Sequence, residues 1–133
     1  MGVFAELSSY LRKPYYVPSL SSRHSAHESV KAQLYVLGFK LGYRSVLEAK
    51  VCGSVRTGQI DCVYVDRLDN VVCAFEVDGS VRSRSVAKLF TLGPDVEKIV
   101  ISFGTDDSWR KMAKKTGCSE GFGDIRFFRM GRD

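Results

Sequence analysis

The fold is decided by the stretch from Gly58 to Ser80, which reads GQIDCVYVDRLDNVVCAFEVDGS. Its two apolar runs, residues 60–65 and residues 71–77, are separated by a short polar segment. Apolar runs of this length on either side of such a segment predict an antiparallel β-hairpin. Both faces of the runs are apolar apart from a few acidic residues, which is typical of strands that are covered on both sides. We therefore expect this hairpin at the centre of a layered domain.

The register of the hairpin brings acidic residues together. If Asp66 closes the turn opposite Val71, the same register sets Asp61 directly across from Glu76. Opposed residues of antiparallel strands have Cβ atoms about 4.5–5.5 Å apart, so these two carboxylates are expected on one face of the strand pair. Asp78 follows Glu76 by two positions and is expected on that face as well.

Three carboxylates among apolar neighbours are costly unless partner groups or a metal ion compensate their charge. Hard divalent cations such as Mg²⁺ (or Mn²⁺) bind through one or two carboxylates together with phosphate and water oxygens. Asp61 and Glu76 would supply such a pair, and the backbone carbonyl of Val77 would add a ligand. The hairpin therefore predicts a metal-dependent functional centre.

The composition is that of one globular domain. The chain has 133 residues, of which 44% are hydrophobic and 26% are charged, and this is enough for one core but not for two. No apolar run approaches the roughly 20 residues that span a bilayer, and the first residues lack a secretory-signal pattern. We therefore expect a cytoplasmic protein without a membrane anchor. The four cysteines contain no Cys-x-x-Cys pair, which disfavours zinc and favours free thiols.

The net charge of +5 is unevenly distributed. Residues 1–58 carry 8 basic and 3 acidic residues, residues 59–78 carry 1 and 5, and residues 79–133 carry 11 and 7. An acidic centre between basic flanks suits a polyanion held over a metal site. A solvated surface without a partner explains the charge alone equally well.

Helical and strand-like patterns flank the hairpin. A helix is predicted to start at Ser25, where Glu28 completes a capping-box pattern, and to end at Gly38 or Gly42. Glu28 would cap this helix or also point toward the acidic centre. The further predicted elements are a strand over 43–51, a turn over 52–58, a helix over 83–92 with a buried stripe of Val86, Leu89 and Phe90, a strand over 98–103, a basic helix over 107–116 and a strand over 125–130.

The N-terminal part is predicted to differ from the rest. Residues 1–11 can form a short amphipathic helix with Val3, Phe4, Leu7 and Leu11 on one face, and a Pro- and Ser-rich linker follows. We therefore divide the chain into an arm or docking helix with a linker over residues 1–24 and a single domain over residues 25–133.

The order of these elements and acids resembles that of the PD-(D/E)XK nuclease superfamily. The family pattern places an Asp on one strand and a Glu-x-Lys on the next, and an acid of the first helix often joins them. Asp61 and Glu76 match the two strand acids, and Glu28 matches the acid of the first helix. Residues 58–61 also resemble the approach to the motif Asp in Holliday junction resolvase-like members. The resemblance covers about residues 25–130 and implies an α/β restriction endonuclease-like fold, with an αβββαβ core and helices on both faces of a central mixed sheet.

The resemblance implies a metal-dependent endonuclease that hydrolyses DNA phosphodiester bonds, with Mg²⁺ or Mn²⁺ as cofactor, and it suggests a homodimer. The substrate would be duplex, branched or single-stranded DNA. Asp78 occupies the position of the motif Lys, so Lys88 would replace that Lys from the following helix, while Asp78 would add a metal ligand or a base. The predicted DNA contacts are Arg82, Arg84, Arg56, Lys111, Lys114 and Lys115.

Two alternatives remain open from the sequence. Asp78 in place of the Lys also fits a catalytically inactive module of the same fold that binds nucleic acid or assembles with partner proteins. His24 and His27 lie three positions apart and would ligate a metal ion only with a third partner, so a surface position is the simpler interpretation.

Overall fold

The computed structural model describes residues 2–11, 22–50, 58–79, 83–103, 121–122 and 124–130. Its elements in chain order are α1 (Phe4–Tyr10), α2 (Ser22–Lys40), β1 (Arg44–Lys50), β2 (Gln59–Val65), β3 (Val71–Asp78), α3 (Ser83–Phe90), β4 (Glu97–Ser102), β5 (Gly121–Phe122) and β6 (Ile125–Arg129).

The strands form one mixed sheet in the order β1-β2-β3-β4-β6-β5. Strands β1, β2 and β3 are antiparallel, whereas β3, β4 and β6 run parallel, and the short β5 is antiparallel to β6. The parallel step from β3 to β4 crosses over through α3, as such connections require. The predicted α/β class with an αβββαβ core is confirmed, because α2, β1, β2, β3, α3 and β4 follow in that order.

Helices cover both faces of the sheet. On one face, Leu34 of α2 packs in a buried cluster with Tyr64 and Phe75 of the central strands. On the other face, Leu89 of α3 packs in a second cluster with Val100 of β4. The two clusters explain why the hairpin strands are apolar on both sides. Among the described helices, none is long and apolar enough to cross a membrane.

Helix α2 begins earlier than predicted and ends just before Gly42, the second of its two predicted ends. It begins at Ser22, so Ser25 lies inside the helix and the predicted capping box with Glu28 is wrong. It also passes Gly38, where an added Cβ would lie 2.0 Å from the Ser45 Oγ, so Gly38 is needed for close packing on β1 rather than for ending the helix. The chain turns at Gly42, whose φ of +88° favours glycine.

The hairpin register is confirmed in its middle and wrong at its turn. Cys62 lies opposite Phe75, as predicted, but a bulge between Tyr64 and Val65 brings Val65 rather than Asp66 opposite Val71. The N–H of Asp66 donates to the carbonyl of Asn70, so the turn closes at Asn70, one residue earlier than the predicted Val71.

The N-terminal helix packs on the sheet. Leu7 of α1 is fully buried in the same cluster as Leu34, and the Glu97 carboxylate at the start of β4 accepts hydrogen bonds from the N–H groups of Val3 and Phe4. The aromatic rings of Phe4 and Phe128 stack edge to face. Residues 2–11 therefore contribute to the main core, and the division at residue 24 stays a prediction.

Of the other predicted elements, the strands over 43–51, 98–103 and 125–130 and the helix over 83–92 are confirmed within a few residues. Phe90 does not belong to the buried stripe of α3, since 44% of its surface is exposed. Strand β5 was not predicted. The basic helix over 107–116 and most of the turn over 52–58 lie outside the described residues.

Candidate functional site

The acidic centre forms where β2 and β3 stop pairing through their backbones. Cys62 and Phe75 make the last regular pair toward this end of the hairpin. Beyond them, the N–H of Asp61 donates to Glu76 Oε2 at 2.9 Å, and the N–H of Val77 donates to Asp61 Oδ2 at 2.7 Å. Each carboxylate therefore accepts a hydrogen bond from the opposite strand, and this exchange holds the two acidic residues together at the strand ends.

The two side chains do not share a face as predicted. The Asp61 carboxylate contacts α2, and the Glu76 carboxylate contacts α3, which packs on the other side of the sheet. The predicted face assignment is wrong because the strands separate here and each side chain turns into the gap between them. The predicted proximity of Asp61 and Glu76 is nevertheless found.

Glu76 is a deeply buried carboxylate with a single described cation beside it. Its side chain is 3% exposed, and Lys88 Nζ lies 3.0 Å from Glu76 Oε1. Burial and the neighbouring Asp61 charge raise the Glu76 pKa to about 7, although the Asp61 N–H and Lys88 act in the opposite direction. Lys88 Nζ also donates to the backbone carbonyl of Gln59 at 3.1 Å, so it spans the ends of both strands.

Asp61 keeps its charge by different means. Burial raises its pKa, but His27, the Val77 N–H and Lys31 together outweigh burial and hold the pKa below its ordinary value. His27 Nε2 lies 3.5 Å from Asp61 Oδ2, and this contact raises the pKa of His27. The centre thus pairs one carboxylate whose pKa is lowered with one whose pKa is raised to about 7.

A second ion pair borders the centre on the α2 side. Lys31 is almost fully buried; its ammonium group pairs with Glu48 of β1 and lies 3.6 Å from Glu28. Glu48 has a φ of +54°, which is uncommon for a residue with a side chain. In the register of β1 and β2, Glu48 falls opposite Asp61, between two regular pairs. Acidic residues therefore occupy neighbouring positions on three adjacent strands: Glu76 on β3, Asp61 on β2 and Glu48 on the edge strand β1.

Sequence reasoning missed three residues of this arrangement. The sequence favours a surface position for His27, and no motif assigns a role to Lys31 or Glu48. The spacing of His27 and Lys31 contains a usable signal, since residues four apart lie on one face of a helix. Glu48 carried no local signal, because its position depends on a backbone conformation that its residue type does not favour.

The structure brings together Asp61, Glu76, Val77 and Lys88 of the predicted site. Glu28 borders it, with a half-exposed carboxylate that faces His27 and Lys31 rather than contacting Asp61 directly. Asp78 ends β3, half-buried and in register with Ser102 of β4. Arg84 lies in α3. The predicted DNA contacts outside the described residues are Arg56, Arg82, Lys111, Lys114 and Lys115.

The donor set fits a hard divalent cation. Two carboxylates meet at one strand end, which is what Mg²⁺ uses in addition to phosphate and water oxygens. Within the described ranges, no group of three His, Cys, Asp or Glu side chains is already assembled around a cation-sized space. A cation held by two carboxylates, with substrate and water oxygens as its remaining ligands, would agree with both observations.

Comparisons with known proteins give one similar structure. No protein-family model matches the chain, and no curated protein matches it in sequence. The chain is similar to the crystal structure of a repair endonuclease from Pyrococcus abyssi, with 16% sequence identity and a TM-score of 0.43. The similarity covers 90% of this chain, which spans 50% of the length of that endonuclease. At this identity and TM-score, the similarity concerns the course of the chain and assigns no role to any residue.

Proposed function

We propose that this protein is a metal-dependent endonuclease that hydrolyses DNA phosphodiester bonds. The observation that carries the proposal is the contact between Lys88 and the buried Glu76 carboxylate, next to Asp61 at the end of a strand pair. A buried carboxylate with a raised pKa, as Glu76 has, is costly for a merely structural role, and such perturbed groups concentrate at functional sites.

Asp61 and Glu76 would hold Mg²⁺ or Mn²⁺, with the Val77 carbonyl as a further ligand. The bound cation would lower the pKa of a water molecule and stabilise the leaving oxygen. Lys88 replaces the missing motif Lys in this proposal. Its side chain is 32% exposed, and its ammonium group contacts Glu76 and the Gln59 carbonyl. This ammonium group would orient the attacking water or stabilise the charge that develops on the phosphate.

Other residues would assist this centre. Asp78 stands where the motif Lys is expected and would serve as an added ligand or as a base for the water. Glu28 borders the site as a secondary acid. The basic residues on either side of the acidic centre would hold the DNA backbone, and a homodimer would present two such centres to one substrate.

Cleavage of plasmid and four-way junction DNA tests the proposal, with Mg²⁺ or Mn²⁺ present. Wild-type protein should cleave at least one substrate only when metal is added. Glu76→Ala should abolish cleavage, and Lys88→Ala should lower its rate about a hundredfold or more. Lys40→Ala provides a matched control, because Lys40 lies at the far end of α2 and contacts the ring of Tyr10. Absence of metal-dependent cleavage on every substrate would refute the proposal.

Asp78 in place of the motif Lys favours one alternative, a module of the same fold that binds nucleic acid without cleaving it. This alternative predicts DNA binding that weakens steeply with salt and is indifferent to metal. Binding unchanged by Glu76→Ala, with no cleavage under any condition, would support it.

A further inference from the structure

His27 lies between two carboxylates at the border of the centre. Its Nε2 is 3.5 Å from Asp61 Oδ2, and its Nδ1 is 3.8 Å from Glu28 Oε1. The imidazole is 30% exposed, so it is open to solvent while its ring is held on α2. Both nitrogen atoms therefore face a carboxylate oxygen, and Nε2 faces the acid at the strand end.

The separation of Nε2 and Oδ2 is longer than a good hydrogen bond, for which about 2.7–3.2 Å is usual. It agrees better with two atoms that bind one cation. Ligand atoms that are each about 2.1 Å from a metal ion lie roughly 3.0–3.5 Å apart when the angle between them is near 90–110°. His27 and Asp61 therefore already stand at the spacing of neighbouring ligands.

Glu28 lies near the second nitrogen of His27, at 3.8 Å, which is longer than a hydrogen bond. A metal-bound imidazole usually directs its second nitrogen to a carboxylate, which fixes the ring orientation and the tautomer. Glu28 faces Nδ1 and is itself near the ammonium group of Lys31, whose other partner is Glu48. This arrangement leaves Nε2 toward Asp61, and Glu28 is the carboxylate that would accept a hydrogen bond from the Nδ1–H group of a metal-bound His27.

We propose that His27 is a ligand of the same cation as Asp61 and makes this centre select Mn²⁺ over Mg²⁺. The inference rests on the proposed metal-dependent function and deepens it. Imidazole nitrogen is a better ligand for transition metals than for Mg²⁺, which prefers oxygen. Two carboxylates alone would discriminate little between the two ions, whereas an added nitrogen ligand strengthens the binding of Mn²⁺.

Binding of the metal alone tests this proposal without any cleavage. Mn²⁺ is titrated by the loss of its aqueous electron paramagnetic resonance signal, and Mg²⁺ by calorimetry. The wild-type protein should bind Mn²⁺ about tenfold or more tightly than Mg²⁺, and a pulsed measurement should show ¹⁴N modulation from an imidazole. His27→Ala should remove the ¹⁴N modulation and weaken Mn²⁺ binding about 10–100-fold, while Mg²⁺ binding changes much less.

Three further variants separate the explanations. His27→Gln keeps a hydrogen-bond donor to Asp61 and should behave like His27→Ala. If it instead retains the Mn²⁺ preference, or if His27→Ala weakens both metals equally, His27 only positions Asp61 and the proposal is wrong. Gln33→Ala, on another face of α2, should bind both metals as the wild type does. Asp61→Asn should weaken both metals strongly.

The failure of this inference can be distinguished from the failure of the proposed function. Metal-dependent cleavage and binding that need Asp61 but are insensitive to His27 would overturn the ligand assignment and leave the nuclease proposal in place. A wild-type protein that binds neither metal would overturn both.

Discussion

The raised pKa of Glu76 predicts a specific pH dependence of stability, which Glu76→Gln would reveal. The carboxyl group has a pKa of about 7 in the folded protein and an ordinary value of 4.5. Because the folded-state pKa is the higher one, the folded state binds this proton more tightly than the unfolded chain does. The group therefore destabilises the fold progressively as the pH rises from about 4.5 to about 7, and this cost stays constant above that range.

The magnitude follows from the size of the shift. Each pKa unit corresponds to about 1.4 kcal/mol, so the whole window is worth about 3 kcal/mol, and the part between pH 5 and pH 8 is about 2–3 kcal/mol. Glutamine has nearly the same shape and no titrating proton. Glu76→Gln also loses the ionic contact with Lys88. This loss changes the free energy of unfolding of the variant by a similar amount at both pH values, so it does not alter how that free energy depends on pH.

Urea unfolding of the metal-free protein at pH 5 and pH 8 measures this effect. The stability of the wild type relative to Glu76→Gln should fall by about 2–3 kcal/mol from the lower to the higher pH. The stability of Lys88→Met should decrease more than that of the wild type over the same pH range, because this variant lacks the cation that favours the ionised form of Glu76. His27 and Asp61 are present in all three proteins, so their own contributions largely cancel. Parallel pH curves for the wild type and Glu76→Gln would show that the Glu76 pKa is not raised in the folded protein.

Three other perturbations have expected outcomes. Lys88→Arg keeps the charge but not the compact ammonium geometry, so its single-turnover cleavage rate should lie between those of the wild type and Lys88→Ala; a rate as low as that of Lys88→Ala would argue against a role for the charge itself. Gly38→Ala should lower the free energy of unfolding by about 1–3 kcal/mol in urea titrations, since its Cβ would collide with Ser45 and the buried ring of Tyr64; an unchanged midpoint would show that the contact relaxes freely. Glu97→Gln should destabilise the protein by about 1–2 kcal/mol through weaker acceptance from the N-terminus of α1, and hydrogen exchange of the α1 amides should accelerate; unaltered exchange would show that apolar packing alone holds α1.

The hairpin and its central register could be predicted because local rules determine them. Apolar runs on both faces indicate covered strands, and the pairing of Cys62 with Phe75 follows from a short polar turn. The turn itself was predicted wrongly. The Asp66 carboxylate accepts hydrogen bonds from the N–H groups of Leu68 and Asn70, and this side-chain contact closes the turn a residue early and introduces the bulge. Such competition by a short polar side chain is visible only once the backbone is known.

The candidate site was predictable for the residues that lie on the hairpin and not for those that reach it from elsewhere. Asp61 and Glu76 follow from the strand pattern, and Lys88 followed from the family resemblance. His27 and Lys31 approach from a helix, and Glu48 approaches from the edge strand through an unusual backbone conformation. Their contacts depend on how α2 crosses the sheet, which is a property of tertiary packing rather than of any local sequence pattern.

Metal-dependent catalysis at the acidic centre is tested most directly by the single-turnover cleavage rate of Asp61→Asn with saturating Mn²⁺, compared with the wild type and with Asp69→Asn. Asp69 lies in the exposed hairpin turn, where it pairs with Arg44, far along the strand from the centre. We expect metal-dependent cleavage by the wild type and Asp69→Asn, and a rate at least about a hundredfold lower for Asp61→Asn. Equal rates for all three proteins, or cleavage that persists after metal is removed, would contradict this expectation.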